Sequence, residues 1–201
     1  AVRGLSDGAF AFLEKPCSAE HLLGHVERAV ETRRLVLENR RLKRELATGD
    51  AAARWLLGTS SMAERLRHHV RAAAASPSDV LVTGEPGTGI MKVAEVIHLL
   101  SGKEGGPLIK LAAAGLDKAS LSDAFMRADG GSLFLDEISA LDAGLQVELM
   151  HLLDARNEIK FLAGTNRDVS TLVEDGLMNA ELYYRLELVR ITIPPLRERK
   201  G

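Results

Sequence analysis

The sequence predicts an α/β fold, a parallel sheet covered by helices on both faces. Three observations predict it. Short, continuously apolar strand candidates alternate with helical patterns from residue 80 to residue 193, the order that buries a parallel sheet on both sides. The first strand candidate, from Val80, runs into Gly84-Glu85-Pro86-Gly87-Thr88-Gly89 and then a helical pattern, Val93, Val96, Ile97, Leu100. The third, Ser132–Leu135, ends in two adjacent carboxylates, Asp136-Glu137.

In chain order, residues 1–16 read as a helix end, a turn at Asp7-Gly8 and a short strand Ala9–Leu13 before Lys15-Pro16. Residues 18–47 read as one long helix, with Ser18 as N-cap and apolar Leu22, Leu23, Val26, Ala29 and Val30 at helical spacing. From Leu35 the apolar stripe narrows to Leu35, Asn39, Leu42, Leu46. That spacing fits a coiled-coil seam with one polar core position, and two heptads fit a single solvated helix as well. The basic run Arg33, Arg34, Arg40, Arg41, Lys43, Arg44 is balanced by Glu31, Glu38 and Glu45 and reads as a wet face.

Thr48-Gly49-Asp50 marks a domain boundary. Ser60 and Ser61 open an amphipathic helix with Met62, Leu66, His69, Val70 and Ala73 on its apolar side. After the strand at Val80 and its helix come a strand Leu108–Leu111, a helix around Leu116–Met126 and the strand Ser132–Leu135. A helix Ala143–Leu153, a strand Ile159–Ala163 and a helix Val169–Glu174 follow. A helix Ala180–Leu186 and a strand Val189–Ile193 close the set before Pro194-Pro195.

Composition excludes several classes. A net charge of −2 argues for neither a nucleic-acid coat nor an acidic tail. One cysteine, Cys17, excludes an internal disulfide and a cysteine metal site, and fits a reducing cytoplasm. No apolar run approaches a membrane span. The six histidines read as surface or half-buried residues.

The chemistry concentrates in three stretches. Strand, glycine turn and helix form the context of a phosphate-binding loop, where backbone N–H groups and a helix N-terminus favour an anion. In the pattern G-x-x-x-x-G-K-[ST], Gly84 and Gly89 fit, but Ile90 stands at the lysine position and Met91 at the Ser/Thr position. Asp136 and Glu137 lie at a C-terminal strand edge, where such sheets bind ligands. In a nucleotide hydrolase the first of such a pair holds Mg²⁺ and the second orients the attacking water. Gly164-Thr165-Asn166-Arg167-Asp168 ends a strand at the same edge, where Asn166 is placed either to sense a γ-phosphate or to form an Asx turn. Arg185, in Leu182–Leu186, sits on a helix, where an arginine can serve a neighbouring subunit's nucleotide.

Gly84–Gly89, Ala128–Glu137, Gly164–Asp168, Leu182–Leu186 and Pro194-Pro195-Leu196-Arg197-Glu198-Arg199, in that order, resemble the central AAA+ domain of NtrC-type bacterial enhancer-binding response regulators. Within that family the likeness is nearest to the C4-dicarboxylate-transport regulators. The resemblance implies a P-loop domain of three layers over 51–201, a linker helix over 32–50, and the C-terminal part of a receiver domain over 1–31. In the receiver part, Phe12 would be the switch aromatic and Lys15 the phosphate-sensing lysine. By the same likeness the phosphoacceptor, and with it the contact to a sensor kinase, precedes Ala1. The likeness likewise implies an AAA+ lid and a DNA-binding helix-turn-helix after Gly201. Expected partners are a second copy through the linker helix, a ring being open, and RNA polymerase or a sigma factor, with no membrane. The implied cofactor is ATP or ADP with Mg²⁺, weakened or lost. Its binding set is Gly84, Glu85, Pro86, Gly87, Thr88, Gly89, Ile90, Met91, Asp136 and Asn166, with Asp136 for the metal and Glu137 and Arg185 as catalytic remnants.

The departures from the family all fall on one machine. The loop lysine falls on Ile90. The asparagine that partners the catalytic glutamate falls on Ala112, and the first of two arginine fingers on Asn179. The long loop that grips sigma-54 is reduced to Asp117–Arg127, and a second hairpin to Asp154–Glu158. The expectation is therefore a regulator that keeps the fold and has abandoned ATP-driven remodelling. The alternative is a working ATP-dependent sigma-54 activator.

Overall fold

The structure, a computed structural model, describes residues 17–18, 22–35, 51–155 and 158–198, and the chain divides into two compact units, Ala1–Asp50 and Ala51–Gly201. The readings at Phe12, Lys15, the strand Ala9–Leu13 and the seam from Asn39 to Leu46 lie outside the described residues.

In the first unit, residues 22–35 form helix α1. Its apolar residues Leu22, Leu23, Val26, Val30 and Leu35 are all exposed. Local contacts are those of a solvated helix: Arg28 Nε donates to the Gly24 carbonyl at 3.0 Å, and Arg34 pairs with Glu31 at 3.2 Å.

The second unit contains α2 (Ala51–Trp55), α3 (Ser61–Ala75), β1 (Val80–Thr83), α4 (Ile90–Leu100), β2 (Leu108–Ala112), α5 (Lys118–Arg127) and β3 (Ser132–Asp136). A 3₁₀ turn, Ile138–Ala140, leads to α6 (Ala143–Ala155), β4 (Lys160–Thr165), α7 (Val169–Glu174), α8 (Ala180–Glu187) and β5 (Arg190–Thr192). The five strands are all parallel, in the order β2-β3-β4-β1-β5. Every loop that follows a strand therefore emerges at one edge of the sheet, which gathers residues 84–89, 136–137, 165–166 and 193–198.

The apolar runs are continuous because side chains alternate between two covered faces. Leu81, Leu133, Leu135, Phe161 and Ala163 meet α5, α6, α7 and α8 on one face, with Phe125 stacked on Phe161 at 6.2 Å. Val80, Val82, Phe134, Leu162 and Ile191 meet α2, α3 and α4 on the other. Each fully buried large side chain contributes about 1.5–3 kcal/mol.

Helix starts follow capping chemistry. Ser60, Asp117, Asp168 and Asn179 each accept a backbone N–H in the first turn of α3, α5, α7 and α8. The Asp117 cap moves the start of α5 from the expected Leu116 to Lys118. Three side chains depart from the sequence reading. The buried face of α3 is Ala63, Leu66, Arg67, Val70, Ala73 and Ala74, while His69 is exposed. Arg67 turns inward because its Nη1 donates to the Leu56 and Gly58 carbonyls at 2.8 and 2.9 Å, closing the α2–α3 connection. His98, expected at or near the surface, is buried on α4 and bonded to Ser132 Oγ at 2.8 Å; burial holds its pKa below the ordinary histidine value.

Lys160, the first residue of β4, is buried, and its ammonium donates to the carbonyls of Ala73, Ser76 and Ser78 at 2.9, 2.6 and 2.7 Å. It closes the C-terminal end of α3, whose last carbonyls lack helical partners. Burial lowers its pKa to about 8, against the opposing pull of Asp79.

Candidate functional site: a glycine loop at the strand edge

The loop after β1 folds on itself by short-range bonds. The Thr88 N–H and hydroxyl both donate to the Glu85 carbonyl, at 3.1 and 2.7 Å, and Gly84 N donates to the Thr165 carbonyl at 3.3 Å. Gly87 and Gly89 have φ of 81° and 96°, the left-handed region that glycine tolerates without strain. Gly89 caps α4 with no side-chain bond, so the N–H groups of the first turn open onto the loop. That arrangement is a backbone anion cradle.

The cations around it are arranged unusually. Ile90, the first residue of α4, packs back into the core: a Cβ built on Gly164 would lie 2.8 Å from Ile90 Cγ2 and 2.9 Å from Phe134 Cζ. Met91, at the Ser/Thr position, is exposed and brings no hydroxyl. Lys92 leaves the helix on another side. Its Nζ lies 3.9 Å from the Trp55 ring centroid and 3.0 Å from Glu95 Oε2. Glu95 also takes Lys110 at 2.6 Å, and these two partners, Lys110 first, hold its carboxyl below the usual range. Glu85 points to the chain after β5, where Arg197 Nη1 meets it at 2.6 Å and lowers its pKa.

Beside the loop lies a cavity of about 260 Å³. Trp55, Leu57, Leu66, Thr88, Gly89, Lys92, Val93 and Pro194 line it. Trp55 and Arg197 were not anticipated from the sequence, whereas Lys92, two residues past the lysine position, is turned by about 200° around the helix and so away from that position. That Trp55 is the sole tryptophan was the signal available.

Across the same edge, Asp136 ends β3 half-buried, next to Ala112 in register. Glu137 follows with φ of 54°, the sole non-glycine at positive φ among the described residues. Its carboxylate accepts from Ser139 Oγ, Thr165 Oγ1 and Asn166 N, the last at 3.2 Å. Thr165 Oγ1 accepts in turn from Arg167 N at 3.1 Å. Glu137 is therefore held by its own scaffold, and the backbone of Asn166 is one of its holders. Among the described residues no group of three or more His, Cys, Asp or Glu side chains is placed to hold a metal. A magnesium carried by nucleotide phosphates needs only one or two protein carboxylates, which Asp136 fits.

Arg185 and Asn179 lie elsewhere. Arg185 Nε donates to Asp79 Oδ2 at 2.7 Å, Nη1 to Asp154, and Nη2 to the Leu153 carbonyl at 3.2 Å. Asp79 precedes β1, so Arg185 sits at the edge opposite the loop. Asn179 Oδ1 accepts from the N–H groups of Glu181 and Leu182 at 2.8 and 3.1 Å, capping the helix that carries Arg185. Gln146, buried on α6, supports that cap by accepting Asn179 N at 2.6 Å.

A five-stranded parallel sheet with a glycine loop after β1, an internal strand between β4 and β5, and paired carboxylates after β3 defines an α/β domain of the P-loop nucleotide-binding class. Residues 57–196 match the family model for the sigma-54 interaction domain, and the chain belongs to that family. It is 37% identical to the C4-dicarboxylate transport transcriptional regulatory protein DctD of Pseudomonas aeruginosa, over 99% of this chain and 50% of that protein. To DctD of Rhizobium meliloti it is 34% identical, over 100% and 50%, and to the regulatory protein AtoC of Escherichia coli 30%, over 100% and 50%. The chain thus spans about half the length of these relatives. The alignment to the first runs over 230 residues against 201 in this chain, so about 30 positions of that relative have no counterpart here. The crystal structure of NtrX from Brucella abortus in complex with ATP superposes with a TM-score of 0.66 at 26% identity, covering 98% of this chain and 50% of that one. The fold is that of AAA+ sigma-54 activator domains, and the chain is of the sigma-54-dependent transcriptional regulator family. Among the described residues no helix is long and apolar enough to cross a membrane.

Proposed function

We propose that this chain is part of a two-component transcriptional regulator whose AAA+ domain binds nucleotide without spending it on polymerase remodelling. Ile90 carries this reading: where a phosphate-reaching lysine belongs, an apolar side chain is packed on Gly164 and Phe134. A lysine or metal at that point supplies the charge stabilisation that phosphoryl transfer depends on most. Support comes from Glu137, tied by three protein donors, from Asn179, employed as a helix cap, and from the shortened crossovers. Helix α5 joins β2 to β3 directly, and only four residues separate α6 from β4. Those two connections are where the sigma-54 grip of the resembled family would stand.

The residues present fit a nucleotide in part. The cradle of Gly84–Gly89 and the cavity at Trp55 suit a nucleoside phosphate such as the ATP of the NtrX structure, and Asp136 suits its magnesium. We assign residues 1–31 to the end of a receiver domain, 32–50 to a dimerising linker and 51–201 to the AAA+ α/β subdomain. On this assignment the exposed Leu22, Leu23, Val26 and Val30 of α1 belong to the receiver's last helix, and Leu35 to the linker. Partners are then a second copy, RNA polymerase or a sigma factor, a sensor kinase through the receiver, and DNA through a further domain.

The test is turnover by the purified chain with ATP and Mg²⁺. No hydrolysis above that of a Glu137→Gln variant is expected. Magnesium-dependent hydrolysis abolished by that variant would establish the working activator instead.

A further inference from the structure

We propose that the site recognises its ligand by the base rather than by the phosphates: a purine nucleoside stacked on Trp55, with affinity nearly independent of phosphate number. This rests on reading the loop and its cavity as a nucleotide site, and adds what selects the ligand.

The phosphate side of the site is poor in available charge. Ile90 is committed to the core. Lys92 is paired with Glu95, and Arg197 with Glu85. What remains for phosphate is backbone N–H groups, which act without a countercharge on the ligand's own multiple charges.

The base side is well furnished. The cavity of about 260 Å³ offers one aromatic face and apolar walls from Leu57, Leu66, Val93 and Pro194. Pockets of this make-up take flat apolar groups and orient them with few polar contacts. The Trp55 face toward Lys92 carries an ammonium at 3.9 Å, which shows an accessible π-surface 46% exposed, on which a cation stands where a base can stack. A base laid on the indole displaces the Lys92 ammonium from the ring while its ion pair with Glu95 remains.

Trp55 is the only tryptophan in the 201-residue chain, so its emission reports the site directly. The experiment titrates the chain with adenosine, ADP, ATP and inorganic pyrophosphate. Adenosine, ADP and ATP should shift Trp55 emission with dissociation constants within about tenfold of one another, and pyrophosphate should neither shift it nor compete. In calorimetry, Trp55→Leu should weaken adenosine and ATP by the same factor, about fivefold to a hundredfold. Lys92→Met should bind adenosine as well as the parent chain or a few-fold tighter, because no ammonium competes for the ring. ATP binding more than a hundredfold tighter than adenosine, or displacement by pyrophosphate, would overturn the inference and leave the nucleotide site standing. A more than tenfold loss of adenosine in Lys92→Met, with cooperative unfolding intact, would overturn it as well. Binding by none of the four ligands would overturn both readings together.

Discussion

Ile90 and Gly164 share one space. The Ile90 Cγ2 methyl stands 2.8 Å from where a Gly164 Cβ would be, with the Phe134 ring at 2.9 Å on another side. The substitution at the lysine position is therefore a packed feature of the sheet edge rather than an idle change at the mouth of a loop. It joins the first turn of α4 to the end of β4, and so to Thr165, which holds Glu137.

That contact makes Gly164 intolerant of a methyl. Gly164→Ala should destabilise the domain by about 1–3 kcal/mol, the usual cost of overpacking, although alanine suits a strand better than glycine. In an Ile90→Ala background the same change should cost less, and part of the cost should persist because Phe134 still presses on the site. Denaturant midpoints of the four variants give the coupling; additive effects would show that the two residues do not share the space.

Asn179 holds a structural post, the N-cap of α8, at the position where the family resemblance implies an arginine finger. Its side chain receives two N–H groups of α8, so Asn179→Ala should cost about 0.5–2 kcal/mol, while Asn179→Asp should be nearly neutral. Asn179→Arg should cost about as much as alanine, measured by thermal unfolding, and should not raise ATP turnover.

Lys160 gives the domain a pH signature. Its folded pKa of about 8 lies below the ordinary lysine value of 10.5. Between those values the unfolded chain binds more protons than the folded one, so the stability contributed at Lys160 rises as pH increases from 8 toward 10.5. Below pH 8 both states are charged and the burial penalty is present in full. Against Lys160→Met, the parent chain should gain relative stability between pH 8 and pH 10, read from urea midpoints across that range. A difference flat over the range would mean that the three carbonyls keep the ammonium charged.

The fold was legible because its signals are local and repeated. Val80–Thr83, Ser132–Asp136 and Lys160–Thr165 each show an unbroken apolar run, and each helix after them begins at a capping or turn residue. Asp136 and Glu137 were legible for the same reason: adjacent carboxylates at a strand end announce themselves. What sequence could not show is direction. Nothing in the pattern says that Lys92 turns onto Trp55, that Arg67 points inward, or that Glu137 takes φ of 54° and is held by Thr165. These depend on partners 9 to 37 residues away, such as Gly58 for Arg67, whose meeting only the packed sheet decides. Nor does a lysine within the strand Ile159–Ala163 announce that the orphan carbonyls of α3 draw it inside.

Arg185 separates a structural role from a catalytic one. Its guanidinium joins Asp79, Asp154 and the Leu153 carbonyl at the edge of the sheet opposite the loop. The intervening strand β1 has four residues, about 13 Å at the rise of a β-strand. Removing the arginine leaves Asp79, with a side chain only 13% exposed, without its guanidinium partner. Fully buried pairs broken in this way cost about 3–5 kcal/mol; with Arg185 itself 28% exposed, about 2–3 kcal/mol is expected for Arg185→Ala. Arg185→Lys should recover only part, because an ammonium cannot span both carboxylates as the planar fork does. Asp79→Ala with Arg185→Ala should cost less than the sum of the single changes, since neither charge is then left alone. The affinity of a single chain for adenosine or ATP should not move in any of these variants. A chain with Arg185→Ala that unfolds at the parent midpoint, yet binds nucleotide differently, would place Arg185 at the ligand and not in the frame.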